Sequence, residues 1–235
     1  VDYVNPRLLI TLNDNNSKFY KLNCKNGKKI FIQQGKRSEF KDVFSELKND
    51  TNKNKKYVDY MFTHNDNISL LYKKYISGKT ISIGSMESND IKVNKLNFYK
   101  KRILLISDFY DMYSNPNKFF VGKKKFNYFL DKEKKILKLI NNYVKKKNLK
   151  IDILSRFNGK KFQNEKNYYS NLFSNKIFTL IENNRNDFNK FTLIDRYSLI
   201  IGFDSTLVVE AFGRGAKVMI INFKGSLAKK LKSYD

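Results

Sequence analysis

The chain has 235 residues, 41% hydrophobic and 15% aromatic, enough for one large domain or two small ones and too apolar for a disordered segment. One cysteine, Cys24, excludes an internal disulfide framework and fits a reducing compartment; with a single histidine, it also excludes the usual nitrogen and sulfur metal sites. A net charge of +25, from 47 basic and 22 acidic residues, raises nucleic acid or an anionic membrane as partner.

That charge has a plainer reading. Lys, Asn, Ile, Phe and Tyr dominate together, as AT-rich codons would produce, and the basic residues are scattered as "NKNKK", "GKKKF" and "YVKKKNLK". No RNP-like, zinc-finger or helix-turn-helix pattern accompanies them, which argues against nucleic acid and leaves a weaker preference for anionic lipid surfaces or phosphorylated substrates. The longest apolar runs are strand-length, and the start, "VDYVNPRLLITLND", lacks a basic n-region and a cleavage site. The chain begins without Met, opens inside a pattern and stops soon after a strand, so both ends are expected to be truncated.

In chain order, "RLLITLND" (7–14) reads as a strand ending at Asn13-Asp14, and "NNSKFYKLNC" (15–24) as a helix that Ser17 can cap. "KKIFIQQG" (28–35) is a second strand closed by Gly35; "KRSEFKDVFSELKND" has helical spacing at Phe40, Val43, Phe44 and Leu47. "KYVDYMFTHND" (56–66) is a third strand, "NISLLYKKYIS" (67–77) a helix ended by Gly78, and "KTISIGSM" (79–86) a fourth strand. The polar stretch 87–100 holds the expected linker, placed at 91–100. Strand 101–110, a long amphipathic helix at 124–148, and strands 149–157 and 176–182 then lead into "SLIIGFDSTLVVEAFGRGAKVMIIN" (198–222).

Strands separated by helices, apolar on both faces, imply parallel sheets covered by helices. The expected fold is therefore α/β, two Rossmann-like domains facing across a cleft. Residues 1–90 form the first, 91–100 the linker, and 101–235 the second. Ligands of such sheets bind outside the carboxyl ends of the strands, so strand-end residues carry the candidate chemistry.

The stretch "GFDSTLVVEAFGRG" offers the most. Asp204, Ser205 and Thr206 stand where a strand delivers the chain to a helix, and such residues cap the orphan amides of a first turn. The same amides and the helix dipole also suit a phosphate, with Glu210 one turn on able to accept ribose hydroxyls. Capping and phosphate binding both stand. Asp14 is either a general base for an acceptor hydroxyl or part of an Asp-Asn-Asn turn. Gln34 and Gly35, with Arg37, either present amides and a cation to an anion or form only a tight turn. His64, the sole histidine, is either an acid–base group or a plain polar residue, and Arg156 either pairs with a diphosphate or is solvated. Dinucleotide, P-loop and nucleophile-elbow fingerprints are missing, as is an Asp-x-Asp metal pair.

Three segments in order carry a resemblance over nearly the whole chain. "DRYSLIIGFDSTLVVEAFGRGAKVMIIN" resembles the donor-site signature of GT-B-like bacterial surface carbohydrate biosynthesis proteins. "VNPRLLITLNDNNSKFYKLNCKNGKKIFIQQGKR" is similar to their N-terminal pattern, with Gln34 where that pattern has Asn, and "VDYMFTHNDNISLLYKKYISGKTISIGSM" follows their run into the domain crossover. The resemblance implies a GT-B fold, incomplete at both termini. It also implies a glycosyltransferase-like enzyme of surface polysaccharide assembly, which the single cysteine places in the cytoplasm and the basic charge at the inner face of the membrane. Such an enzyme transfers a sugar or related group from a nucleotide-activated donor to a glycan or lipid-linked acceptor; the missing Asp-x-Asp pair adds the expectation that it does so without a metal or other cofactor. Ser205, Thr206, Glu210 and Arg156 would face the donor, with Asp14, His64, Gln34 and Gly35 on the acceptor side. A nucleotide-sugar 2-epimerase shares the architecture, but it usually needs several His residues and carboxylates in its cleft. A non-catalytic basic protein, binding nucleic acid or membrane, is the remaining alternative.

Overall fold

The computed structural model describes residues 4–37, 43–49, 56–94, 99, 101–109, 123–184, 189–203 and 205–221. Phe40 and Asp204 lie outside them. The chain divides into two compact units, one reaching Asp90 and the other covering Ile91–Phe223.

The first unit is a four-stranded parallel sheet, β1 (Leu8–Thr11), β2 (Lys28–Ile32), β3 (Tyr57–Thr63) and β4 (Ser77–Ser82), in that spatial order. Helices α1 (Ser17–Lys21), α2 (Val43–Asn49) and α3 (Asp66–Lys73) connect the strands, and α4 (Met86–Asn89) follows β4. The caps are local chemistry. Asn16, Asn65 and Ser85 each accept an amide of the turn that follows, so α1 is capped by Asn16 and not Ser17. Alternation along β2 buries Phe31, which stacks on Tyr72 of α3 at 4.7 Å, while Phe44 of α2 meets the same ring at 4.8 Å. Lys29 is buried in the same alternation, and its ammonium caps the last carbonyls of α1, donating to Tyr20 O at 3.0 Å and Leu22 O at 2.7 Å.

Gly78 does not terminate α3. The helix closes at Lys74, and Gly78 lies inside β4 with φ +134°, where a β-carbon would come within 1.7 Å of Val58 O. The register shift between Tyr57 and Tyr60 brings that carbonyl of β3 against it.

The second unit holds β5 (Arg102–Ile106), α5 (Lys123–Lys146), β6 (Lys150–Leu154), α6 (Gly159–Ser170), β7 (Phe178–Ile181), α7 (Asn189–Ile194), β8 (Leu199–Gly202), α8 (Thr206–Gly213) and β9 (Lys217–Ile220). All strand pairs are parallel, in the order β7-β6-β5-β8-β9. The chain starts in the middle, winds outward to β7, then returns to the other side of β5. Neighbouring residues of β5 feed opposite cores: Ile103 and Leu105 pack with Leu137, Ile140 and Val144 of α5, while Leu104 and Ile106 pack with Phe191, Ile194, Val208 and Ala211. Burial on both faces is why these strands read as continuous apolar runs.

From Ile91 onward, the described part of the expected linker is tied to the second unit. Arg214 Nη1 donates to Ile91 O at 3.0 Å, Asn94 N to Asp195 Oδ2 at 3.0 Å, and Tyr99 N to Arg196 O at 2.8 Å. Among the described residues no helix is long and apolar enough to cross a membrane.

Candidate functional site

In the second unit the order of strands reverses between β5 and β8, and such a switch point opens a crevice beyond the carboxyl ends of the strands. Gly202 ends β8. A β-carbon there would meet Val208 Cγ2 at 2.3 Å, so glycine is what lets the first turn of α8 lie against the strand. Ser205 is the N-cap: its hydroxyl accepts the Leu207 amide at 3.3 Å, and its carbonyl accepts Val208 N at 3.3 Å. The capping function is thus realised, with the positive end of an eight-residue helix at the carboxyl edge of the sheet. Thr206 and Glu210 are half-buried and one turn apart on α8. Gly213 is the last residue of α8, Arg214 its C-cap, and Gly215 turns the chain into β9 at φ +81°.

Across β5 stands the end of β6. Arg156 leaves it with its Nη1 3.4 Å from Asp108 Oδ1 at the end of β5, and both side chains remain about one-third exposed, at 33% and 28%. Beneath the turn lies Glu165 of α6, fully buried, accepting Arg156 N at 3.0 and 3.1 Å and Phe157 N at 3.2 Å. Burial raises its pKa, opposed by hydrogen bonds from Ser107 and from those two amides. Ser107 also shares a 2.8 Å hydrogen bond with the buried Tyr169 hydroxyl. Glu182, at the end of β7, accepts Gly159 N at 2.9 Å, in the first turn of α6. Ser205 and Thr206, at the start of α8, and Arg156, just after β6, therefore follow the two strands that flank β5, with Glu210 one turn further along α8.

In the first unit the ends of β1, β2 and β3 converge on Asp14. It is fully buried, and its carboxylate accepts Arg37 Nε and Nη2, both at 2.5 Å, Tyr72 OH at 2.6 Å and Gln34 N at 3.4 Å. The Tyr20 hydroxyl donates to its carbonyl. Burial, then the Asp14 charge, push the Tyr72 phenol well above its usual value. A carboxylate so enclosed and saturated is built as an anchor and does not present a lone pair to a bound hydroxyl.

Gln34 contributes that amide and an exposed side chain, while Gly35 gives its carbonyl to Gln33 Nε2 at 2.7 Å. Gln33, which sequence reasoning passed over, also accepts His64 N at 2.9 Å and so stitches β2 to β3. His64 Nε2 is buried and makes no hydrogen bond. Burial lowers the His64 pKa below its ordinary 6.5, with Asp14 opposing and Arg37 adding to the shift. Among the described residues no group of three or more His, Cys, Asp or Glu is arranged to hold a metal ion.

Glu165, Asp108 and Gln33 are the site residues missed. For Glu165 a signal existed: Phe162, Glu165, Tyr169 and Phe173 recur at helical spacing, and the last three are buried.

Three solved structures are similar. A mutant of S. aureus TarM in complex with fondaparinux, alpha-GlcNAc-glycerol and UDP matches at 16% identity and TM-score 0.46, over 87% of this chain and 38% of that one. The pneumococcal O-GlcNAc transferase GtfA in complex with UDP and GlcNAc matches at 14% and 0.45, over 85% and 38%. A further TarM structure matches at 14% and 0.50, over 96% and 46%, a likeness of fold. The chain thus spans less than half the length of the structures it matches. The fold is α/β with two parallel-sheet units, of GT-B type. No curated protein sequence matches the chain. A family model matches residues 30–235, and the chain belongs to that family, described as "putative O-antigen biosynthesis protein".

Proposed function

We propose that the chain is the body of a glycosyltransferase-like enzyme of surface polysaccharide assembly, which moves a sugar or related group from a nucleotide-activated donor to a glycan or lipid-linked acceptor. The observation that carries the reading is the capped N-terminus of α8 at the switch point of a doubly wound sheet, with Arg156 on the opposite side of β5. Family membership supplies the pathway class, O-antigen biosynthesis.

The donor's phosphates lie at the start of α8, held by its first-turn dipole, the Ser205 and Thr206 hydroxyls and the Arg156 guanidinium; Glu210 accepts from the ribose. The acceptor oxygen attacks the activated sugar carbon as the bond from that carbon to the phosphate oxygen breaks. Negative charge collects on the departing nucleotide, where fixed donors and a cation stabilise it without a metal. The first unit serves the acceptor. There the Gln34 and Gly35 turn forms the rim, Asp14 and Arg37 hold the strand ends, and His64 stands behind them with its Nε2 enclosed, so that the acceptor proton passes to water. The enzyme works in the cytoplasm, with peripheral contact to the anionic inner face of the membrane.

Calorimetry with CMP, CDP, UDP, GDP and ADP tests the donor site. One nucleotide is expected to bind well above the others and to be weakened about tenfold by Ser205→Ala and by Glu210→Ala. Uniformly weak binding that falls with salt and ignores both substitutions, in a chain shown to be folded, removes the donor reading and leaves α8 with a cap alone.

A further inference from the structure

Lysine abundance by itself scatters charge over every face, but the amino edge of the second unit's sheet gathers it. Lys145 and Lys146 close α5, Lys147 follows, and Lys150 opens β6, all four exposed. Lys101 stands before β5, Arg196 shortly before β8, and Lys217 opens β9, again exposed. The edge is continuous: Lys150 N donates to Lys101 O at 2.9 Å, and Lys217 pairs in register with Leu199 of β8. Between Glu133 and Asp152 the sequence holds seven lysines and no acid. The two aspartates at this edge are buried and already engaged, Asp152 by Arg102 and Tyr197, Asp195 by Arg214.

None of these exposed cations makes an ion pair among the described residues. Arg196 instead donates to the Tyr99 hydroxyl at 2.9 Å and lies 5.7 Å from the centre of that ring, which holds it at the surface. Neighbouring strands start about 4.8 Å apart, so like charges on them repel at close range. Lysines at the end of a helix are ordinary, because they meet the negative pole of its dipole. That accounts for the end of α5 and leaves Lys101, Lys150, Arg196 and Lys217 with no internal reason to stand together.

Helix α5 adds an apolar component. It packs inward through Leu137, Ile140 and Val144, yet Leu139 is 66% and Tyr143 52% exposed, one turn apart and just before the lysine run. An aliphatic chain and a phenol beside ammonium groups suit a boundary where acyl tails lie beneath phosphates. A nucleic acid would engage the cations and leave Leu139 without a purpose.

We propose that this amino edge, with the exposed side of α5, is the surface that docks on anionic lipid. The lysines and Arg196 meet headgroup phosphates, and Leu139 and Tyr143 enter the boundary below them. The inference rests on the membrane contact proposed above and gives it a location. It leaves the carboxyl edge, at the other end of the strands, facing water and open to a soluble nucleotide.

Sedimentation of the full chain with vesicles tests it, using phosphatidylcholine alone and an equimolar mixture with phosphatidylglycerol, with far-UV circular dichroism as the folding control. The wild type should bind the anionic vesicles and ignore the neutral ones. Lys146→Gln/Lys147→Gln/Lys150→Gln should weaken that binding about tenfold or more, since each lysine near an anionic surface is worth about fivefold. Lys25→Gln/Lys73→Gln/Lys160→Gln removes the same charge from exposed positions elsewhere and should cost less than about threefold. Leu139→Gln keeps the charge and should still cost about threefold or more. Equal losses in the two triple variants show that net charge is read and not this edge, and overturn the proposal. An indifferent Leu139→Gln, with polyuridylate bound more tightly than vesicles, assigns the edge to nucleic acid and overturns it as well. A folded wild type that ignores anionic vesicles removes the proposed membrane contact together with this inference, and leaves the donor site to the nucleotide titration. Vesicle binding that survives the edge variant keeps the membrane contact and overturns this inference alone.

Discussion

Arg37→Met separates the anchor from the catalyst at Asp14. The substitution keeps a long side chain but removes both 2.5 Å hydrogen bonds to a carboxylate with no exposure, leaving it only Tyr72 OH at 2.6 Å and Gln34 N at 3.4 Å. Breaking a buried pair by deleting one partner costs about 3–5 kcal/mol, and the 11% exposure of Arg37 places the expectation near the lower end, about 3 kcal/mol. Asp14→Asn should cost a similar amount, because its amide nitrogen must face a guanidinium hydrogen. The double variant should cost clearly less than the sum, with a coupling of about 1–3 kcal/mol. Urea unfolding followed by tyrosine fluorescence and circular dichroism reads these values, with the slope checked for constancy; the 15 tyrosines and absence of tryptophan make the phenol signal usable. Single losses below about 1 kcal/mol, or strict additivity, would refute the anchor. Asp14→Asn that leaves stability intact while abolishing sugar transfer would instead restore Asp14 as the base.

His64 gives a pH signature. Its folded pKa lies below 6.5, so the unfolded chain binds the proton more readily, and stability is fully present above that value and declines as pH falls towards the folded pKa. The wild-type melting temperature should therefore drop between pH 7 and pH 5 more than that of His64→Phe, and equal slopes would dismiss the effect. The glycines split into two kinds. Gly78→Ala must push a β-carbon into Val58 O at φ +134° and should cost about 3 kcal/mol. Gly213→Ala meets nothing within 4 Å at the end of a helix and should be neutral or gain up to about 1 kcal/mol by thermal unfolding.

Periodicity made most strands and the long helices legible, because β5, β6 and β8 are apolar on both faces and α5 carries Leu137, Ile140 and Val144 at helical spacing. It could not give the order β7-β6-β5-β8-β9, since pairing is decided between segments and not within them. Helix α6 escaped because Lys, Asn and Gln fill it and one of its inward positions is the charged Glu165. Gly78 resembled a helix end after Lys73-Lys74, yet the requirement that placed a glycine there came from β3, twenty residues earlier in the chain. At the end of β2, strict alternation from Lys29 and Phe31 points inward to Gln33. The neighbouring Gln34, favoured by resemblance, has an exposed side chain.

The charge also resolves into two populations. Lysine is abundant and mostly at the surface, as codon bias would leave it. The buried Lys29 and Lys56 are put to use on carbonyls at the ends of α1 and α2. Arginine is scarce, seven residues among 47 basic ones, and is placed differently. Arg37 and Arg214 grip Asp14 and Asp195 through Nε and Nη2 together, a two-pronged contact that an ammonium cannot copy, while Arg102 meets Asp152 with the Tyr197 hydroxyl beside it. Each unit thus uses the same device, an aspartate closed in by arginine and tyrosine, to hold its sheet: Asp14 with Arg37 and Tyr72 in the first, Asp152 with Arg102 and Tyr197 in the second.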